Sequence, residues 1–393
     1  MKIKRNILVF KLNSFFKSSW PLLALAVVYF QQVTGSYAAA LSVFSVTTIM
    51  QSLAEVPSGV VSDKIGRKRT MVLCSVFSLT GLFLFALAGE LTMPVLLFVG
   101  AGCRGVADAF ESGTDDALLY ETMQELGRAD EYDIVYSRSK MFGQIGLAAG
   151  ALTAAGVTYF YSLNVLAWVS FGVSFFQLFI VSGFVEPERN GAFETLKRTS
   201  SWEHFKNSWK EIVKNKKLKY FTIVKMFQKA CGWTSYSFEA AYFNALVPSW
   251  AVGVVRIIKQ TTGIISYGIA PRFRKFGFFK VLTCSSLVMF VIDFAALVLN
   301  TFVTPFLMSF VNLFHGVSET AGSAVFQKEF TQEQRATMGS VVSLTGSLFL
   351  AVMYGFIGIV ADRYSLYFAM ILLLCFKLLS VFGYYGLLKK YDD

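Results

Sequence analysis

The chain contains few charged residues for its length. Aspartate, glutamate, lysine and arginine together make up 16% of the 393 residues, whereas hydrophobic residues make up 55%. The mean hydropathy is +0.54, which is too apolar for a soluble domain of this size. The scarcity of charge therefore excludes an ordinary soluble protein and indicates a chain that crosses a membrane repeatedly.

Several motifs that carry chemistry in other proteins are also missing. The cysteines are odd in number and widely spaced, so they fit neither a disulfide framework nor a metal motif. They are Cys74, Cys103, Cys231, Cys284 and Cys375. No glycine-rich phosphate-binding loop occurs, and no metal ligands cluster. We therefore expect no enzyme, no cofactor and no metal site, and we expect the cysteines to be small buried apolar residues.

A helix needs about 20 mainly apolar residues to cross a bilayer, and such stretches recur along the whole chain. Twelve spans are predicted. They lie at residues 8–32, 36–61, 70–88, 92–120, 138–160, 163–184, 218–246, 249–270, 278–298, 302–326, 338–361 and 365–388. The expected fold class is therefore an all-α membrane protein.

The basic residues are unevenly distributed, although the net charge is +11. They cluster in the turns between alternate spans, and the opposite turns carry only Arg363. The positive-inside rule describes this asymmetry, so both termini are expected to be cytoplasmic. The charge is explained by the lipid bilayer, and a nucleic-acid partner is disfavoured.

One substantial polar stretch, residues 186–217, divides the spans six and six. It predicts an N-terminal six-helix bundle at 1–185, a cytoplasmic linker at 186–217 and a C-terminal six-helix bundle at 218–393. Aromatic and basic residues alternate in the linker, for example Trp202 and Lys206. This pattern suggests an amphipathic helix on the inner leaflet, and a solvated linker helix explains it equally well.

Ionisable residues inside the bilayer cost roughly 2.5–3.5 kcal/mol each on insertion scales, so their positions are informative. Polar residues recur mostly at steps of three and four, on one face each of spans one, four, seven and ten. They are Asn13, Lys17 and Gln31; Arg104, Asp108, Glu111 and Asp115; Lys225, Lys229, Tyr236 and Glu239; and Asn312, His315 and Glu319. We expect these four helices to line one substrate cavity. For Arg104 and Asp108, a purely structural pair remains the alternative.

The turn between spans two and three reads Gly59-Val-Val-Ser-Asp63-Lys-Ile-Gly66-Arg67-Lys68-Arg69, and an altered copy lies at Gly268 to Gly277. This pattern resembles the loop between the second and third helices of the major facilitator superfamily. The resemblance covers the whole chain and implies two pseudo-symmetric six-helix bundles in the plasma (bacterial inner) membrane. It also implies a monomeric secondary transporter for a small-molecule substrate, in which spans one, four, seven and ten line the central pathway.

The resemblance further implies roles for individual residues. The turn and its partner on span four are expected to form a conformational latch on the cytoplasmic side during alternating access. Its residues are Gly59, Asp63, Gly66, Arg67, Lys68 and Glu121. Asp63 is expected to face the amides at a helix N-terminus, Arg67 to pair with Glu121, and the two glycines to allow close approach and a tight turn.

Without a phosphate-binding loop, transport is expected to use a gradient of protons, or of sodium. The residues that we expect to couple protons are Asp108, Glu111, Glu319 and His315. For His315, binding of the substrate or simple packing remains the alternative. Span five carries Gly143, Gly146 and Gly150, a small-residue face that favours tight helix packing.

Three functions remain open at this point. The stretch Glu55–Lys68 and span four resemble bacterial exporters, which favours efflux of a small amphipathic or polar solute. The alternative is a proton-coupled importer of a polar nutrient, siderophore or metabolite. A lipid flippase or a transport-inactive receptor on the same fold is a further alternative.

Overall fold

The computed structural model describes residues 3–112, 114–187, 216–329 and 332–391. Within these residues the secondary structure is helical and contains no strand, which confirms the all-α class. The chain divides into two compact units, Met1–Arg198 and Thr199–Asp393. The amphipathic helix considered for the linker falls outside the described residues, apart from the two ends of that stretch.

Unit 1 contains eight α-helices in its described part. They are α1 (Arg5–Ser18), α2 (Ala26–Thr34), α3 (Tyr37–Ile65), α4 (Arg67–Leu91), α5 (Pro94–Glu111), α6 (Thr114–Glu125), α7 (Tyr132–Phe160) and α8 (Leu163–Ser182). A 3-10 turn at Pro21–Leu25 joins α1 to α2, and another at Ala129–Glu131 precedes α7. Phe10, Leu118 and Phe184 pack together in an apolar core among these helices.

Unit 2 contains seven α-helices in its described part. They are α9 (Lys216–Leu246), α10 (Ser249–Ile269), α11 (Phe278–Leu299), α12 (Thr304–Ser309), α13 (Asn312–Glu329), α14 (Gln332–Arg363) and α15 (Leu366–Tyr391). A 3-10 turn at Ala270–Phe276 follows α10. The core of this unit includes Phe221, Leu282 and Tyr384, all fully buried.

Three of the twelve predicted spans are interrupted, and the other nine are single helices. Span one stops at Ser18 because proline has no N–H and Pro21 holds the preceding Trp20 in an extended conformation (φ −71°, ψ 116°). Span ten is divided into α12 and α13, and span four into α5 and α6. The prediction of one continuous helical face from Arg104 to Asp115 is therefore wrong, since Asp115 belongs to the next helix.

Seven helical segments of the described chain are long and apolar enough to cross a membrane. They are Tyr37–Glu55, Arg67–Leu91, Ala129–Phe160, Leu163–Ser182, Phe278–Leu299, Gly346–Arg363 and Leu366–Tyr391. The remaining predicted spans are one, four, seven, eight and ten, which are interrupted or carry several ionisable residues. These five predicted spans thus include the four on which the sequence predicts polar stripes, namely one, four, seven and ten.

The glycines of span five lie against the end of α1. A Cβ atom added at Gly146 would stand 2.2 Å from the carbonyl oxygen of Phe15, and one at Gly150 would stand 2.9 Å from that of Ser19. Side chains larger than hydrogen cannot occupy these positions without moving one helix. The small-residue face predicted from the sequence therefore packs where α1 ends, and it lets α7 approach the exposed carbonyls of that helix end.

Candidate functional site

An ion pair joins the first and fourth spans of unit 1. Lys17 Nζ on α1 lies 2.7 Å from Glu111 Oε2, at the last residue of α5. The Glu111 side chain is 8% exposed, and that of Lys17 is 41% exposed. Because α5 ends at Glu111, the carboxylate can leave the helix face and reach across to α1.

Arg104 lies two turns before Glu111 on the same helix. Its guanidinium is 3.8 Å from the Asp108 carboxylate and donates a hydrogen bond to the Ser78 hydroxyl on α4. The guanidinium carbon also lies 5.0 Å from the ring centroid of Trp20, a cation–π contact with the break in span one. Arg104 therefore connects three elements around the carboxylates of α5.

The ionisable residues of this cluster are balanced in charge. Asp115, at the start of α6, lies 3.8 Å from Lys140 on α7. The cluster contains three acids and three bases, namely Asp108, Glu111, Asp115, Lys17, Arg104 and Lys140. Partners of opposite charge offset much of the cost of placing these groups inside a membrane.

Unit 2 repeats the connection between first and fourth spans. Lys225 Nζ on α9 lies 2.8 Å from Glu319 Oε1 on α13. Gly322 makes room for the lysine, since a Cβ at that position would stand 2.7 Å from Lys225 Nζ. Each lysine lies in the first half of its first span, and each glutamate in the second half of its fourth span. The two units thus contain equivalent lysine–glutamate bridges.

A second charged network in unit 2 is centred on Glu239. Its Oε2 atom pairs with Lys259 and lies 3.6 Å from Arg256 Nη1, both on α10. Its Oε1 atom accepts a hydrogen bond from the Ser235 hydroxyl at 3.2 Å. All three charged residues are no more than 3% exposed. This carboxylate is therefore held by two cations and a hydroxyl in the interior of the unit.

Ser235 links this network to a further ion pair. Lys377 Nζ on α15 donates to the Ser235 hydroxyl at 2.9 Å and to Asp293 Oδ2 on α11 at 2.7 Å. One continuous set of contacts therefore runs from Asp293 through Lys377 and Ser235 to Glu239.

Four residues of this network were missed in the sequence. Arg256 and Lys259 lie in predicted span eight, Asp293 in span nine and Lys377 in span twelve. The prediction of polar stripes on spans one, four, seven and ten alone is thus wrong for unit 2, where spans eight, nine and twelve also carry charged residues of this network. The available signal was the presence of an ionisable residue inside an apolar span, which is costly wherever it occurs.

The other predicted cavity residues have varied surroundings. Asn13 is buried and accepts a hydrogen bond from Gln177 on α8, so it fastens α1 within unit 1. The Asn312 amide donates to the Lys259 carbonyl at 3.0 Å, which joins α13 to α10. Three further predicted residues are less buried: His315 and Lys229 are exposed, and Gln31 is partly buried. The Tyr236 hydroxyl accepts a hydrogen bond from Gln260, and its ring faces the cations of α10.

The turn before α4 contains the expected contact between Arg67 and Glu121, and a further contact with Ser62. Arg67 Nε donates to Glu121 Oε1 at 3.1 Å, and its Nη1 donates to the Ser62 hydroxyl at 2.8 Å. Gly66 has φ +100°, a conformation that favours glycine. A Cβ at Gly59 would meet no described atom within 4 Å, so the described residues show no close helix approach at Gly59.

A carboxylate that the sequence did not indicate caps α4. The backbone amides of Arg67 and Lys68 donate to the two oxygens of Glu186, at 2.7 and 2.8 Å. An acid at a helix N-terminus satisfies free amides and is favoured by the helix dipole. The sequence predicts Asp63 at the amides of a helix N-terminus, and the Asp63 side chain lies outside the described residues. Glu186 therefore caps this turn from the end of unit 1.

Comparison with known proteins gives a family and a fold. A family model of the Major Facilitator Superfamily matches residues 10–348. A Na(+), Li(+), K(+)/H(+) antiporter of Planococcus maritimus is 28% identical over 159 residues, 39% of this chain and 37% of that protein. The chain thus matches little more than a third of the length of that relative.

Solved structures with low sequence identity share the fold. The nucleoside transporter NupG is 16% identical, with a TM-score of 0.77 and 99% of each chain covered. A D-xylose–proton symporter is 13% identical, with a TM-score of 0.70 and 98% of each chain covered. These likenesses show the fold alone, whereas the family model covers most of the sequence. The chain belongs to the Major Facilitator Superfamily, and it is a multi-pass membrane transporter with that family's twelve-span fold, not an enzyme.

Proposed function

We propose that the protein is a proton-coupled antiporter that exports a small polar or amphipathic solute by alternating access. The observation that carries this proposal is the lysine–glutamate bridge found in both units, Lys17–Glu111 and Lys225–Glu319. Each bridge joins the first span of its unit to the fourth, so the contact between two spans depends on the charge of one carboxylate.

A proton can change that contact directly. Protonation of Glu111 removes its negative charge, and Lys17 then retains a cation without its partner. An unpaired charge within a membrane-spanning segment is costly, so the protonated and ionised forms of Glu111 favour different arrangements of α1 and α5. A ligand shifts a conformational equilibrium only by its different affinity for the two states, and proton binding at Glu111 supplies such a difference. Glu319 and Lys225 provide the same relation in unit 2.

Two observations support exchange for protons and outward transport. The matched relative from Planococcus maritimus is named as an antiporter of monovalent cations and protons. The stretch Glu55–Lys68 and span four resemble bacterial exporters. We therefore place Glu111 and Glu319 in the coupling role, with Asp108 and His315 as neighbouring groups. The turn at Arg67 and Glu121 acts as the conformational latch.

Everted membrane vesicles test the proposal. Respiration acidifies their lumen, and a fluorescent dye reports the pH gradient while NaCl, KCl, LiCl or ethidium is added outside. An antiporter exchanges luminal protons for its solute, so at least one of these probes is expected to dissipate the gradient. A proton-coupled importer cannot release protons when its solute is added to that side only. A flippase or receptor leaves the gradient unchanged with every probe.

Single carboxylate replacements identify the coupling residues. Glu111→Gln and Glu319→Gln are expected to abolish dissipation by the active probe, because neither amide can carry the proton. Glu90→Gln is the matched control, since Glu90 is an exposed carboxylate of unit 1 outside both bridges. Retention of full proton exchange by both bridge variants contradicts the assignment.

A further inference from the structure

The charged network around Glu239 has more bases than acids. It contains Arg256, Lys259 and Lys377 against Glu239 and Asp293. Ionised in full, these five residues carry a net charge of +1. The next acid on α13, Glu319, is already paired with Lys225 and does not supply the missing negative charge. An uncompensated positive charge in the interior of a membrane protein is costly and is associated with function.

Arg256 also has donors without acceptors. It is 2% exposed, and its Nη2 donates to the Tyr236 carbonyl at 2.6 Å. Its Nε and Nη1 atoms are buried and make no hydrogen bond to a described atom. Nη1 stands 3.6 Å from Glu239 Oε2, too far for a hydrogen bond. The guanidinium therefore lacks both a full counter-charge and acceptors for two of its nitrogens.

An aromatic ring lies beside these cations. The guanidinium carbon of Arg256 is 4.2 Å from the ring centroid of Tyr236, and Lys259 Nζ is 5.4 Å from the same centroid. The ring holds the two cations by cation–π contacts while leaving their N–H groups to other acceptors. Gln260 fixes the ring from its hydroxyl end.

We propose that Arg256 and Lys259, positioned by Tyr236, bind a carboxylate of the transported solute within unit 2. The bound carboxylate supplies the missing negative charge and accepts hydrogen bonds from the unpaired donors of Arg256. Charge-assisted bonds between guanidinium and carboxylate are among the strongest in proteins. Glu239 holds the same cations when the site is empty and competes with the solute for them. The inference rests on the proposed function only in stating that the bound solute is transported.

A thermal-shift measurement on the purified full chain in detergent tests the site with benzoate as the probe. Benzamide has the same shape without the negative charge, and inorganic phosphate is an anion of different geometry. The apparent Tm of the wild type is expected to rise by about 3 °C or more with saturating benzoate and to stay unchanged with benzamide. Equal shifts with benzoate and benzamide, no shift with benzoate, or a shift with phosphate alone overturns the carboxylate site.

Two substitutions are expected to act in opposite directions. Arg256→Gln brings the network to neutrality, so the protein without ligand is expected to remain folded while its affinity for benzoate falls by about 10-fold or more. Glu239→Gln removes the competing carboxylate and is expected to tighten benzoate binding several-fold. Arg363→Gln, at an exposed basic residue of the same unit, is expected to leave the affinity unchanged.

These variants remain decisive if one of them fails to fold. Benzoate affinity in Arg256→Gln equal to that of the wild type overturns the proposal, as does unchanged or weaker affinity in Glu239→Gln. Benzoate binding without proton exchange in vesicles, when benzoate is added as a probe beside the cations, sinks the antiporter proposal and leaves the site intact. Proton exchange with cationic probes in the absence of benzoate binding overturns the carboxylate site and leaves the antiporter proposal intact.

Discussion

Replacing Gly146 by alanine tests the packing of the interrupted first span. The carbonyl of Phe15 belongs to the last turn of α1, which ends at Ser18. Gly146 on α7 lies directly against this carbonyl, and the added Cβ would stand 2.2 Å from its oxygen. An ordinary contact between such atoms is at least 3.4 Å. The two helices must therefore separate by roughly 1 Å to accept one methyl group.

The magnitude follows from two opposing effects. Overpacking of a tight interior contact typically costs about 1–3 kcal/mol, and here the obstacle is backbone, which yields less than a side chain. Alanine is better than glycine in a helix by up to about 1 kcal/mol, which offsets part of that cost. A net loss of about 2 kcal/mol corresponds to a fall in Tm of about 4–8 °C for a unit of this size.

The same helix contains a control. A Cβ at Gly156 meets no described atom within 4 Å, so Gly156→Ala gains the higher helix propensity of alanine without a steric clash. Thermal unfolding of both variants in detergent, followed by far-UV circular dichroism, measures the difference. Gly156→Ala is expected to match the wild type or exceed it. If Gly146→Ala unfolds at the same temperature as Gly156→Ala, α7 does not pack against the end of α1 as described.

Two further changes test the Glu186 cap of α4 and the Ser235 hydroxyl that links Lys377 to Glu239, by the same melting experiment. Glu186→Gln leaves a single acceptor for the amides at the start of α4, so the free energy of unfolding is expected to fall by about 1 kcal/mol. Glu186→Asp is its charge-retaining control. An unchanged Tm in Glu186→Gln shows that the cap does not stabilise the unit. Ser235→Ala removes the hydroxyl between Lys377 and Glu239, with an expected loss of about 1–3 kcal/mol. Ser235→Thr keeps a hydroxyl. Equal stability of Ser235→Ala and Ser235→Thr contradicts a stabilising role of the Ser235 hydroxyl.

Much of the fold could be predicted because a membrane span has a strong local signature. About 20 apolar residues mark a span regardless of its neighbours, and the turn at Gly59–Arg69 adds a family pattern. The interruption of span one also had a local signal, since Pro21 cannot continue the hydrogen bonding of α1. The charges of span four were visible for the same reason, as costly exceptions within an apolar stretch.

The partners of those charged residues could not be predicted from the sequence. Helical periodicity places residues on one face of their own helix, but it does not say which helix that face meets. Asp293 and Lys377 are isolated charges on spans nine and twelve, and only the packing of α11 against α15 makes them a pair. The partner of Glu186 could not be predicted for the same reason. Its role as the cap of α4 depends on the position of the chain after span six relative to the start of α4.

Both units contain a lysine–glutamate bridge, whereas only unit 2 contains the charged network around Glu239 among the described residues, and this difference bears on function. Both contain a lysine–glutamate bridge between their first and fourth spans, which is consistent with a structure built from two repeats. The network around Glu239 has no counterpart among the described residues of α2 and the first half of α3, which carry no acidic or basic residue before Glu55. We propose that the shared bridges carry the coupling step. Recognition of one particular solute has no need of symmetry, and the unshared network of unit 2 is where we place it.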